Sequence, residues 1–500
     1  MTGIEGSVRP VRAYLRSRGR TRASLLDRYV SGFGLAMLAA VLGQPLTTVI
    51  SGLAGPVEPG RMGAGAALLA LALAGFLAAA RAAGPVMVPG SDASWLVLSP
   101  LSRRGLLGRT GRVLLVVAVV AGVLLGVGLV AALGAPDQLV WRLLGALVLG
   151  VSVSVGGMAL AVLGQASQSW QVWLTAAMVA LLVLAVVFVT GQVRTVLAIA
   201  AAAPLTAVAA AASGAVVASA LLVRQAWTSL ERIPARALLK GSTRAGHLAT
   251  ATVGLDPSAL TWVVEDNHWK ARTLTSRPWP SLSAPLAPAW QDWRRAGRRP
   301  GRLAVMFGSA ALPAVLAQAG GSPVQLGVAV LVGALAVAVA NASGARRDHD
   351  NPALARLLGV GLRPALAARA VLPAVLGGAW AATALAALTL TGVLAAGPGL
   401  WWLFGPLAAP ALAAAALRMA RRAPIDHASP VIDTPGGAIP TGPLFWAATG
   451  VDLALIGCLP AAMALATQPG DLGPYLAAQA VSGLAVLAAY IVRARPGKAG

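Results

Sequence analysis

A chain of 500 residues with 57% hydrophobic residues, 11% charged residues and a mean hydropathy of +0.76 carries more apolar surface than a water-soluble core can bury. A membrane barrel is excluded as well, because runs such as 114–130 and 174–189 are almost continuously apolar where barrel strands would alternate. A net charge of +23 would suggest nucleic acid in a soluble protein, but here the arginines lie between the apolar runs, where they set topology and meet lipid headgroups.

The chain opens on a basic segment, 1–29, in which Val11, Tyr14, Leu15, Leu25 and Leu26 are interspersed with arginines. Two readings stay open: an amphipathic helix lying flat in the inner interface, or a simple topological anchor. The apolar run 30–53 is too long for the core of a signal peptide and is followed by another span, so it reads as a retained helix. About twelve transmembrane helices follow from run length, at 30–53, 63–83, 112–134, 140–163, 172–190, 196–223, 303–319, 324–342, 366–394, 399–417, 443–466 and 471–492. The expected fold is therefore an all-α polytopic membrane protein. Its domains are a first six-helix half at 30–223, a cytoplasmic linker at 224–302, a second six-helix half at 303–492 and a tail at 493–500.

Loops 84–111, 224–302, 343–365 and 418–442 and the tail are all basic, whereas the alternate loops carry almost no positive charge beyond Arg61 and Arg194. The positive-inside rule then places both termini in the cytoplasm of a multi-pass protein of the cytoplasmic membrane. The two halves also share a loop pattern. Leu98, Arg103, Leu106 and Arg109 superpose at constant spacing on Leu358, Arg363, Leu366 and Arg369. A helix-start signal precedes each set, Asp92 in the first half and Asn351 with Pro352 in the second. A basic segment with apolar residues introduces the second half too, running from Ala289 through Trp290 and Trp293 to Arg298.

Each loop thus holds a short helix with apolar residues beside arginines: Trp95, Leu96, Leu98 and Leu101 with Arg103 and Arg104, and Leu354, Leu357 and Leu358 with Arg363. Exposed apolar residues call for a cover, either a docking protein with two similar lobes or the chain's own membrane domain. Within the linker, Asp256 and Pro257 start a helix carrying Trp262 and Trp269, and 276–288 is an extended proline-rich connection.

Chemistry is sparse. No Gly-x-x-x-x-Gly-Lys-Ser/Thr run occurs, so ATP is not bound through a P-loop of this chain. Spacings such as Gly122 with Gly126, and Gly145 near Gly150, fit close helix packing. Asp452, inside the eleventh span, is a candidate intramembrane polar site, read as an ion or substrate contact or as a residue that is buried and hydrogen-bonded or lies near the interface. The lone cysteine, Cys458, excludes an internal disulfide and a cysteine-based metal site. His247, His268, His349 and His427 lie in separate loops, where solvated roles outweigh metal sets such as His268 with Glu265 and Asp266, or His349 with Asp348 and Asp350. No catalytic constellation, cofactor or metal is expected.

The layout resembles the permease of an ABC-2-type exporter, particularly the large, two-half actinobacterial kind, and the stretch from Trp95 to Arg104 is similar to the loop before the third span in such permeases. The resemblance implies a separate ATPase as partner, coupling through Trp95, Leu98, Leu101, Arg103, Arg104, Leu357, Leu358 and Arg363, and outward movement of a hydrophobic, amphiphilic or peptide-like substrate. The short loop 191–195 departs from that layout, which often has re-entrant helices there, although Pro204 could break the run 196–223. A non-transporting membrane scaffold and a secondary carrier are the alternatives.

Overall fold

The apolar runs form helices in the computed structural model, which describes residues 59–86, 103–135, 137–235, 238–239, 241, 282, 286–353, 359–394, 399–423, 430–434 and 437–494. The protein is an all-helical polytopic membrane protein, apart, among the described residues, from one two-stranded sheet of β1 (Val431–Thr434) and β2 (Gly437–Pro440). It divides into two compact units, residues 1–247 with 431–439, and residues 248–430 with 440–500.

The first unit contains α1 (Pro59–Ala83), α2 (Arg103–Leu133), α3 (Leu139–Ala166), α4 (Gln168–Val189), the short α5 (Arg194–Ala201) and α6 (Leu205–Ser229). Helix α1 stops where Gly84 adopts a φ of +71°, a left-handed terminus open to glycine at no steric cost. Helix α3 is central and packs on α1, α2, α4 and α6. Within a bilayer this association relies on close backbone approach. Gly122 and Gly126 of α2 supply it against Gly150 of α3: a Cβ on Gly150 would lie 2.6 Å from the Gly126 nitrogen and closer still to the Gly122 carbonyl oxygen. Gly145 faces the other way, where an added Cβ would lie 2.7 Å from Val208 Cγ1 of α6. The outer faces of α2 and α4 remain apolar, with Leu124 69% and Val186 64% exposed, a surface suited to lipid tails.

The run 196–223 is not one helix. α5 ends at Ala201, Pro204 is extended, and α6 begins at Leu205. Proline has no N–H to donate and drives the preceding residue out of the helical region, which accounts for the break. The end of α5 is closed from α3, where Arg142 donates through Nη1 to the Ala201 carbonyl at 3.0 Å while its Nε bonds Asp137 at 2.8 Å.

In the second unit, α7 (Ala287–Gly297) precedes α8 (Pro300–Gly308) and α9 (Leu312–Gln318), which a single 3-10 turn joins into one span. α10 (Pro323–Ala340) starts with a capping box, Ser322 and Gln325 exchanging side-chain and backbone hydrogen bonds, with Pro323 at the first helical position. α11 (Ser343–Asp350) is a short polar helix, and α12 (Leu362–Leu390) and α13 (Phe404–Ala420) form the buried centre.

Among the described residues, ten helices are long and apolar enough to cross a membrane. Two of the predicted spans are not among them. Run 30–53 lies outside the described residues. Run 443–466 is helical but broken into α14 (Thr441–Ala448), α15 (Val451–Gly457) and α16 (Leu459–Thr467). Gly450, at a φ of +96°, makes the first break. At the second, α17 (Gly473–Arg493) repairs the backbone: the fully buried Gln479 donates through Nε2 to the Gly457 carbonyl at 2.7 Å and accepts from the Ala461 N–H at 3.1 Å. Unpaired backbone groups are costly where no water reaches, so this side chain stabilises the interruption. Gln479→Leu is expected to cost about 1–3 kcal/mol, measured as a lower unfolding temperature in detergent, and Gln479→Glu is expected to substitute only in its protonated form, whose O–H can donate where a carboxylate cannot.

Candidate coupling site

Arg369 stands about 10 Å into α12 at the 1.5 Å rise of a helix, among apolar residues, and is only 4% exposed. A buried guanidinium is tolerated only when its donors are satisfied and its charge is matched. All of its N–H groups have acceptors. Nε and Nη2 form a two-pronged pair with Asp348 of α11, at 2.8 and 3.0 Å. Nη1 bonds the Asp292 carboxylate of α7 at 2.8 Å and donates to the Pro288 carbonyl at 3.0 Å. Nη2 also donates to Gln291 Oε1 at 3.1 Å. A guanidinium has five N–H donors in a rigid fork, and lysine could not serve this set of acceptors.

The charges are matched as well. Two aspartates face Arg369, and Arg347 of α11 acts favourably on Asp292 as a second cation. Asp292 is itself 4% exposed. Burial pushes its carboxyl above the ordinary aspartate range, against the opposite pull of Arg369 and Arg347. The backbone of α11 presses on this pair: a Cβ on Gly344 would collide with the Asp292 carboxylate and lie 2.7 Å from Arg369 Nη1. One side chain thus ties a membrane-spanning helix, a loop helix and the amphipathic helix α7 together.

Helix α7 is the segment read from sequence as lying in the interface. It turns Pro288 and Asp292 inward and leaves Trp293 52% exposed, while the Arg294 guanidinium sits 6.0 Å from the Trp290 ring centroid. Beyond α11, residues 352–353 are again helical, as the Asn351 and Pro352 signal predicts. Leu354, Leu357 and Leu358 lie outside the described residues. Arg363, in the first turn of α12, is exposed. Within one helical stretch, then, Arg363 faces outward and Arg369 faces inward.

In the first half, Trp95, Leu96, Leu98 and Leu101 lie outside the described residues, and Arg103 and Arg104 begin α2. The start of that loop is fixed. Gln165, near the end of α3, accepts from the Val86 N–H at 3.0 Å and donates to the Val86 carbonyl at 3.1 Å. Leu107, which follows Leu106 of the shared loop pattern, is 2% exposed in the core formed with Ile233 and Leu238.

Asp452 caps the break at Gly450: its Oδ1 accepts from the Gly450 and Leu453 N–H groups at 2.8 and 2.9 Å, and its Oδ2 pairs with Arg418 at 2.8 Å. The Arg418 and Asp452 side chains are 39% and 41% exposed, so Asp452 is hydrogen-bonded but not buried. Cys458 is 2% exposed and belongs to the apolar core of the second unit. His247, His268 and His427 lie outside the described residues. Asp348, considered with His349 for a metal, is engaged by Arg369, and no group of three metal-ligating side chains occurs among the described residues.

Sequence reasoning recognised Arg369 only as the counterpart of Arg109 and missed Asp292, Gln291 and Asp348. The available signal was an ionisable residue within an apolar run. The model of a family of unknown function matches residues 57–430, and no curated protein and no solved structure matches the chain.

Proposed function

The chain belongs to DUF6297, a family of unknown function, and we propose that it is the membrane-spanning permease subunit of an ATP-driven exporter of the ABC-2 type. In this reading a separate ATPase docks on the two basic loops at the cytoplasmic face of the membrane, with both termini on that side. The substrate is hydrophobic, amphiphilic or peptide-like and moves outward. The observation that carries the proposal is the Arg369 cluster. A permease driven from outside needs a rigid connection between its docking loop and its membrane helices, because soft side-chain contacts would absorb the displacement. Asp348 belongs to the loop, Asp292 to the amphipathic helix and Arg369 to the span, and they meet at 2.8 Å.

The engagement of Asp452 by Arg418 and two backbone N–H groups supports a permease over a proton-driven carrier, which would need a carboxylate available to an ion. The test is co-purification. The wild-type chain, expressed in its native host and solubilised gently, is expected to bring down a nucleotide-hydrolysing protein, and Arg103→Glu combined with Arg363→Glu to abolish that association while leaving expression unchanged. Association that survives both charge reversals would refute docking at these loops.

A further inference from the structure

The first unit contains a cavity of about 540 Å³ between α2 and α6, both of which pack on α3. This volume lies within the range of roughly 300–1,000 Å³ usual for sites of small organic ligands. Its walls are apolar, with Leu107, Met158, Val162 and Leu230 among them, and Arg112 is the one charged residue among the described residues of the lining. Leu115 and Trp227 are 49% and 47% exposed, so the cavity is open at the side of the unit. Trp227 lies over the surface of α2 left bare by Gly108 and Gly111, at 3.9 and 3.7 Å from where a Cβ would stand on each.

The position along the helices is as informative as the walls. Arg112 lies close to the start of the apolar part of α2, and Trp227 and Arg232 close to the end of the α6 span. Tryptophan and arginine at such a level mark the boundary between acyl chains and headgroups. The Arg112 guanidinium is exposed and meets no hydrogen-bonding or charged partner among the described residues. An apolar cleft reaching into the hydrocarbon, with a cation at its headgroup end that is unpaired among the described residues, is complementary to a molecule having an acyl chain and an anionic head.

We propose that this cleft holds one acyl chain of an anionic phospholipid drawn from the adjoining leaflet, with the headgroup phosphate on Arg112. The assignment depends on the helices spanning a bilayer, and is independent of any coupling to an ATPase. With α2 beginning and α6 ending at the cytoplasmic face, the leaflet is the inner one, whose anionic lipids favour basic residues. The lipid fills a gap that the helices of this unit leave between them and fastens α6 to α2.

The full-length protein in nanodiscs of phosphatidylcholine, doped with either phosphatidylglycerol or phosphatidylcholine bearing a photoreactive group at mid-chain, provides the test. Illumination and peptide mapping should place the phosphatidylglycerol label on α2 and α6 beside the cavity. Arg112→Gln should lower that labelling about fivefold, the weight of one basic residue against an anionic lipid, while leaving phosphatidylcholine labelling unchanged, and Arg112→Lys should restore most of it. Ala159→Phe, which fills the cavity, should remove the label without altering Arg112. The proposal is overturned if the two lipids label the cleft equally, or if inorganic phosphate displaces the label and so reveals a soluble anion site. Absence of label from the cleft in the wild-type protein, as would follow if the run 30–53 covered it, overturns it too.

Discussion

Arg369→Met is expected to lower the stability of the second unit by about 3–5 kcal/mol, the usual consequence of leaving buried charges without their partner. The substitution keeps most of the aliphatic volume but strands Asp292, 4% exposed, along with Asp348, Gln291 and the Pro288 carbonyl. Thermal unfolding of the purified full-length protein in detergent measures the loss. Arg369→Lys should recover little of it, since an ammonium offers three donors and no planar fork. A pH signature follows. With its cation gone, the buried Asp292 carboxyl binds a proton more tightly in the folded protein than in the unfolded chain, because burial already raises its pKa. A folded-state pKa above the unfolded value means stability that is present at low pH and lost as pH rises through the folded pKa. The variant should therefore regain more stability than the wild type does as pH falls through the folded-state pKa of Asp292, because in the wild type Arg369 and Arg347 hold that rise in check. A variant as stable as wild type at neutral pH would show that the cluster holds nothing together.

The second large effect is expected at the α2 and α3 crossing. Gly150→Leu places a side chain where a Cβ would already lie 2.6 Å from the Gly126 nitrogen, and 2.9 Å from its Cα. The obstructing atoms are backbone, so no rotamer change relieves the contact and the helices must separate. Overpacking of this kind costs about 3 kcal/mol or more. Because α3 is also the packing surface for α1, α4 and α6, separation should disturb the whole first unit, visible as aggregation or early elution in size-exclusion chromatography. Gly60→Leu is the matched control: nothing lies within 4 Å of a Cβ there, and the variant should elute as wild type does.

Most spans were legible from run length alone, because a bilayer demands a minimum continuous apolar stretch and the chain supplies it repeatedly. The run 324–342 was read from its length, although Ser322, Pro323 and Gln325 carry a start signal that the structure uses, beginning α10 at Pro323 with the reciprocal hydrogen bonds in place. The eleventh span was legible as apolar but not as broken. Hydropathy averages across Gly450 and Pro460, and the interruption is tolerated only because Gln479 of the next span bonds Gly457 and Ala461, a contact without a sequence signature. Pro204, by contrast, announced the break between α5 and α6 because proline acts through its own covalent geometry.

The candidate coupling site was half legible. The loop pattern aligned Arg369 with Arg109, and the amphipathic character of α7 was apparent. What joins them was not, since Gln291 lies 78 residues before Arg369 and Asp348 lies 21 before it. Tertiary pairing over such separations follows from how α7 and α11 fold back on α12, not from any local periodicity. The cavity beside Arg112 was invisible for the same reason: it is made by what three helices fail to fill.

In the proposed permease this cluster transmits motion between an externally driven loop and the membrane helices. Asp292→Asn isolates that role, because the amide oxygen still accepts from Arg369 Nη1 while the charge is removed. The decisive measurement is ATP hydrolysis by the complex of this chain with its co-purified ATPase, reconstituted in nanodiscs with wild-type or Asp292→Asn protein. The prediction is that both proteins retain the ATPase in equal amount, but that only the wild type accelerates hydrolysis. Full acceleration by Asp292→Asn, or the absence of any nucleotide-hydrolysing companion from the wild-type preparation, would contradict it.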